Sequence, residues 1–256
     1  MSGTEKSASS IPVGGSRSAG RGAGAVYLAA SSHEGTLRAM ASRILASADR
    51  RPLRIAVTYA AAGGAMVARM NQHIARLFGG AQIDRFTVAG ESEGEGERAE
   101  STSPEVATAT IEAADLIFIA GGDPVQGARL LVRAGADVWL RAARARGTPC
   151  LGISAGAIML ATWWAAWPDH PDHGLGAPHD GGELVPCTGV VPALVVDCHA
   201  EDDDWSELRL VRGMLRDRPA GEPEPRFLGL LTGRGIIVGP DGSIENVGGS
   251  PFVLPP

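Results

Sequence analysis

The sequence is short of cysteine, of net positive charge and of long apolar runs, and each shortage excludes a class of function. Only Cys150, Cys187 and Cys198 occur in 256 residues. Three scattered thiols without a C-x-x-C pair cannot build a disulfide framework, and they suit a reducing compartment. Lys and Arg total 23 against 29 Asp and Glu, a formal charge of −6. A chain with that balance has no global attraction for nucleic acid or an anionic membrane, so neither is expected as a partner. No apolar run reaches the length of a membrane span, and the opening "MSGTEKSASSIPVGGSRSAGRGAG" lacks the apolar segment of a secretory signal. Internal repeats are absent. The expectation is a soluble, cytoplasmic protein that acts on small molecules.

What is present is enough for a sizeable core. The chain is 44% hydrophobic and 20% charged, and domains of this length bury roughly 70% of their unfolded surface. Residues 1–24, rich in Ser and Gly, read as a flexible tail. Residues 25–256 read as one α/β domain.

Apolar strand-like runs at 25–31, 53–61, 83–90 and 115–122 alternate with helical periods at 34–48, 65–78, 104–113, 125–134 and 137–146. That alternation predicts a doubly wound, mostly parallel sheet with helices on both faces. "CLGIS" (150–154) then enters a predicted helix over 155–166. The acidic stretch 90–103 and the turn-rich tract 168–183 read as loops. Residues 189–200 and 227–249 read as closing strands, the latter with a Pro240-Asp241-Gly242 hairpin turn.

Gly152-Ile153-Ser154-Ala155-Gly156 fits G-x-S-x-G, in which a strand turns sharply into a helix and drives the serine side chain into a cleft. The helix start brings N–H groups beside the serine, which suits a developing oxyanion. The competing reading is a glycine-flanked turn with no chemistry. "DLIFIAGGDP" ends another strand with Gly121-Gly122, at the sheet edge where open parallel sheets bind ligands. An oxyanion hole could combine the N–H groups of Gly122 and Ala155. Gly122 to Gly127 has phosphate-loop spacing, but Ala128-Arg129 stands where Lys-Ser/Thr is required, which argues against a nucleotide. The base is expected to be His199, which closes the run "ALVVDCHA" at the same edge. His33, His73, His170, His173 and His179 lack that placement. Asp169, His170, Asp172, His173 and His179 offer ligand types for zinc, yet their prolines and glycines describe a surface loop. No metal and no cofactor is expected.

The ordered trio "FIAGGD", "GISAGA" and "VVDCHA" resembles peptidase family S51, the dipeptidase E and cyanophycinase relatives. The resemblance spans about residues 25–249 and implies the class I glutamine amidotransferase-like fold, with a flavodoxin-like core. It assigns Gly121 and Gly122 to the oxyanion hole, Ser154 to the nucleophile and His199 to the base, in hydrolysis of a small peptide or amide through an acyl-enzyme. A glutamine amidotransferase would carry cysteine at the turn; here Cys150 lies four residues earlier, in the strand.

Two departures bear on activity. Where relatives carry an acidic pair, this chain reads Gly229-Leu230-Leu231-Thr232-Gly233-Arg234-Gly235. The carboxylate that orients histidine must then come from elsewhere, with Asp169 the first candidate and Asp197 and Glu201 behind it. Loss of such a carboxylate can cost about 10⁴ in kcat. Substrate positions differ as well: Asp123 follows the glycine pair, and Asp197 and Glu201 flank the histidine, so these three are the candidate substrate contacts. The run "EDDDW" (201–205) could bind a cation, but Asp204 capping the next helix is the expected role. The alternative function is an altered relative that binds a small ligand without hydrolysing it. Monomer and homodimer both stay open.

Overall fold

The computed structural model describes residues 22–255 apart from 50, 63, 95–96, 167–181 and 217–222. The chain runs through β1 (Val26–Ala29), α1 (Glu34–Ser47), β2 (Arg54–Thr58), α2 (Gly64–Leu77), β3 (Gln82–Arg85), β4 (Ser92–Gly94), β5 (Glu97–Arg98), α3 (Pro104–Ala113), β6 (Leu116–Ile119), α4 (Pro124–Arg133) and α5 (Ala136–Ala145). It continues through β7 (Cys150–Ile153), α6 (Ala155–Leu160), β8 (Trp163–Ala166), β9 (Glu183–Pro186), β10 (Leu194–Cys198), α7 (Ser206–Met214), β11 (Arg226–Leu230), β12 (Gly235–Val238), β13 (Ile244–Val247) and β14 (Phe252–Val253).

Seven strands form the main sheet in the order β13-β12-β1-β7-β6-β2-β3. The five from β1 to β3 are parallel, and β12 and β13 close one edge as an antiparallel hairpin. Strands β1, β6 and β7 are buried on both faces, so they read as unbroken apolar runs. Their alternate residues feed two cores. Val26, Leu28, Ile117 and Ile119 pack under α3 to α6, whereas Tyr27, Leu116, Phe118 and Leu151 pack under α1 and α2. The α/β, flavodoxin-like architecture is therefore the one expected. Among the described residues no helix is long and apolar enough to cross a membrane.

Three segments depart from expectation. Helix α6 stops at Leu160 instead of running to 166, because Trp163–Ala166 pair with Glu183–Pro186 as an antiparallel ribbon. Aromatic side chains suit a pleated surface at least as well as a helix. The predicted strand 83–90 ends at Arg85: β2, its neighbour, ends at Thr58, and only Phe86 N–H still reaches Val57 O, at 2.9 Å. The acidic loop 90–103 contains the short β4–β5 pair.

The predicted closing strands divide between two sheets. β12 and β13 join the main sheet, with Asp241 Oδ1 accepting from Ser243 N at 3.0 Å in the turn and Gly242 at φ 80°. β10 and β11 pair in parallel in a separate sheet, with β14 antiparallel on β11. The expected flexible tail falls almost wholly outside the described residues, as do Asp169, His170, Asp172, His173 and His179.

Candidate active site

Ser154 sits where β7 gives way to α6, with φ 53° and ψ −125°, outside the regions L-residues ordinarily occupy. Close packing around the turn holds it there. A Cβ at Gly152 would lie 2.4 Å from Gly156 O, and one at Gly156 would lie 2.1 Å from Ile119 O. Neither position has room for a side chain, which is the physical content of the two glycines. Ser154 N–H donates to Ala29 O at 2.9 Å, and its carbonyl accepts from Ala157 N at 2.8 Å. The backbone is thus tied to both strand and helix while the hydroxyl projects away.

The hydroxyl meets His199: Oγ and Nε2 are 2.9 Å apart. His199 directly follows β10, where its N–H donates to Leu230 O at 2.8 Å and its φ is 48°. Cys198 Sγ lies 3.6 Å from Ser154 O, so the end of the second sheet abuts the serine turn of the first. The cysteines themselves are inert structural groups. Burial pushes the Cys150 and Cys187 thiols up to about 12, and burial followed by the Asp197 charge raises Cys198 further.

The glycine pair stands beside the serine. A Cβ on Gly121 would lie 3.2 Å from Ser154 Cβ and 3.7 Å from its Oγ. Gly122 has φ 141°, and a Cβ there would come within 1.7 Å of Ala61 O. Only glycine permits this turn. Asp123 N–H then donates to Ala61 O at 2.8 Å, while Asp123 Oδ1 accepts from Val125 N at 2.9 Å and Gln126 N at 3.1 Å. That carboxylate therefore caps α4.

The remaining acids are placed differently from one another. Asp197 is buried at 1% exposure, with Oδ1 accepting from Cys198 N at 2.7 Å and Oδ2 unpartnered among the described residues. Burial, then the charges of Glu207, Asp203 and Glu201, raise its pKa to about 8. Glu201 is half-buried; its Oε1 accepts from Thr232 N at 3.0 Å and its Oε2 is enclosed without a partner among the described residues. Burial opposes its ionisation, but the hydrogen bonds from Thr232 and the proximity of His199 prevail and hold its carboxyl below the usual range. Asp204 does not cap α7. It is left-handed and binds Arg209, while Trp205 occupies the cap position and Asp203 Oδ1 accepts from Trp205 N at 2.9 Å. Among the described residues no group of three His, Cys, Asp or Glu could hold a metal ion.

One part of this arrangement had no signature in the chain. Thr232 contributes its backbone N–H, and the loop bearing it is fastened by the β1–α1 connection. Gly233 N–H donates to Ser31 Oγ at 3.3 Å, Thr36 Oγ1 donates to Gly233 O, and the His33 ring packs 3.4 Å from where a Gly233 Cβ would be. His33 also caps α1 by accepting from Thr36 N.

Residues 97–190, which include the glycine pair and the serine turn, match the profile of peptidase family S51. Among solved structures, a peptidase from an acI-B1 actinobacterium superposes with a TM-score of 0.57 at 19% identity, over 85% of this chain and 84% of that one. A candidate peptidase E protein from Listeria monocytogenes EGD-e gives a TM-score of 0.57 at 13% identity, over 88% of this chain and 98% of that one. At these identities the likeness carries the fold. No curated protein matches the sequence. The match to the S51 profile over residues 97–190 supports a peptidase function, and the ordered trio agrees with it.

Proposed function

We propose that the protein is a serine hydrolase that cleaves a small peptide or amide bond through an acyl-enzyme on Ser154. The observation that carries this reading is the 2.9 Å contact between Ser154 Oγ and His199 Nε2, made from two different sheets. With Nε2 unprotonated, His199 takes the hydroxyl proton as Oγ attacks the carbonyl carbon. The negative charge that develops on the carbonyl oxygen is met by the N–H groups of Gly122 and Ala155, with Gly121 leaving space beside Oγ. Collapse breaks the C–N bond, and the imidazolium returns its proton to the leaving amine. A water molecule, deprotonated by His199, then releases the acyl group.

The orienting acid in this proposal is Glu201. Its Oε1 is fixed by Thr232 N–H, its Oε2 is enclosed and unpartnered among the described residues, and its charge interacts with His199. Thr232 stands where relatives carry the acidic pair, so the backbone at that place holds a carboxylate arriving from the histidine's own loop. Asp169 is the competitor for the role. The second reading, a binding protein without turnover, is favoured by one fact: among the described residues no carboxylate hydrogen-bonds to His199.

Intact-protein mass spectrometry after treatment with a fluorophosphonate probe separates the two. A single adduct that disappears in Ser154→Ala and His199→Ala is expected of the hydrolase. No adduct on a folded protein leaves the binding reading.

A further inference from the structure

A groove of about 490 Å³ lies between α1 and α2, away from the serine turn. That volume falls within the range of small-molecule sites. Arg38 enters it from α1, and Arg69, His73 and Arg76 enter it from α2, with Met70 and Leu77 as its apolar wall. The spacing 69, 73, 76 places the three α2 side chains on one helical face. Three guanidinium groups and one carboxylate, Glu34, converge there, in a protein whose formal charge is −6.

The cations are incompletely answered. Glu34 pairs with Arg38. Arg76 lines the groove, its Nε donating to Gln72 O at 3.3 Å within its own helix, and it has no carboxylate partner among the described residues. Among the described residues Arg69 has no carboxylate partner. His73 Nε2 is buried without a hydrogen-bond partner among the described residues. Burial and then the neighbouring Arg76 depress the His73 pKa, with Glu34 opposing and Arg69 adding to the depression. Like charges are held together around an orphaned ring nitrogen, and a bound anion would relieve both features. Arginine forks match phosphoryl oxygens in pairs, and a neutral imidazole N–H supplies a further donor.

We propose that this groove binds a small phosphate monoester, with the phosphoryl group among Arg69, Arg76 and His73 and its short organic portion against Met70 and Leu77. Ser32 also borders the groove, next to Ser31 and His33, which fasten the Thr232 loop. An occupied groove would thus adjoin the loop that holds Glu201.

The test is calorimetric titration of the full chain with glycerol 3-phosphate and with phosphoserine at low ionic strength. Wild type, Arg69→Gln/Arg76→Gln and Ser154→Ala are compared, and the His73 ring is followed by NMR. The expected result is saturable binding in wild type and in Ser154→Ala, weakened by at least about tenfold in the double arginine variant. The His73 pKa should rise when ligand is present. Absence of saturable binding in wild type overturns the proposal. So does an affinity unchanged in the double variant, or binding that leaves the His73 titration unmoved. None of these outcomes depends on whether Ser154 is a nucleophile.

Discussion

Ser154 and His199 are both held at positive φ, 53° and 48°, and their side chains meet at 2.9 Å. Each backbone turns back at the end of a buried strand, and the two strands belong to different sheets. A contact of this kind is assembled from two strained turns, and the strain has a consequence that can be measured apart from activity. A non-glycine residue at such a conformation costs on the order of 1–3 kcal/mol, which glycine largely avoids. Ser154→Ala removes the hydroxyl and keeps the strain, whereas Ser154→Gly removes both. The glycine variant should therefore be more stable than the alanine variant by about 1 kcal/mol in urea denaturation, with neither reacting with the probe. Equal stability would show that the turn is not strained.

Gly122 presents the opposite case. Its φ of 141° and the 1.7 Å approach of any Cβ to Ala61 O leave no conformation for alanine without moving the loop. Ala61 O is also the acceptor for Asp123 N–H, so a shift there disturbs the start of α4. Gly122→Ala should lower stability by about 2–4 kcal/mol and abolish probe labelling even under conditions where the protein stays folded. A stable, fully labelled variant would remove Gly122 from the oxyanion assignment.

Glu201 is the residue on which the hydrolase and binding readings divide. If it orients the imidazole, Glu201→Gln should lower kcat by roughly 10²–10⁴ while KM changes little, because a misplaced tautomer affects the step and not the encounter. Asp169→Asn supplies the contrast. A large loss in the latter with none in the former would transfer the orienting role to Asp169.

Much of this arrangement was legible in the residues, for identifiable reasons. Parallel strands buried on both faces must be apolar throughout, so "LIFI" and "CLGI" announced themselves, and Ser103 and Pro104 marked the start of α3 to the residue. The serine turn was legible because its glycines are enforced by contacts of 2.1–2.4 Å that tolerate nothing larger. Partition of the later strands was not. "LVVDC" and "RFLGL" have the same composition whether they extend the main sheet or form a second one, and pairing between distant segments leaves no local mark. Trp163 and Trp164 suited a helix as well as a strand until β9 supplied the partner. Thr232 was read as a lost carboxylate, since a side-chain pattern cannot show what a backbone N–H will bind. In the acidic run 201–204, Asp204 was the expected cap, and the chain's turn instead brings Asp203 to Trp205 N.

Asp197 offers a pH test of the architecture beneath the histidine. Its pKa is raised to about 8, first by burial and then by Glu207, Asp203 and Glu201; that of Glu207 is raised to about 7 by burial and by Asp203. For a carboxyl raised on folding, the native state holds the proton more tightly than the unfolded chain. The linked stability is thus fully present below the ordinary carboxyl range and is lost as pH rises toward the folded value. Wild type should lose stability between about pH 4 and pH 8, at no more than about 1.4 kcal/mol per pH unit for each proton involved. Asparagine keeps an oxygen for Cys198 N–H and cannot ionise, so the Asp197 part of the pH dependence is removed while that of Glu207 stays. Thermal melts of Asp197→Asn should consequently be flatter across pH 5–8 than those of wild type, and the variant should be the more stable of the two at pH 8. Parallel curves for the two proteins would mean that Asp197 ionises in the native state as easily as in the unfolded chain, and that its enclosed Oδ2 has a partner in solution.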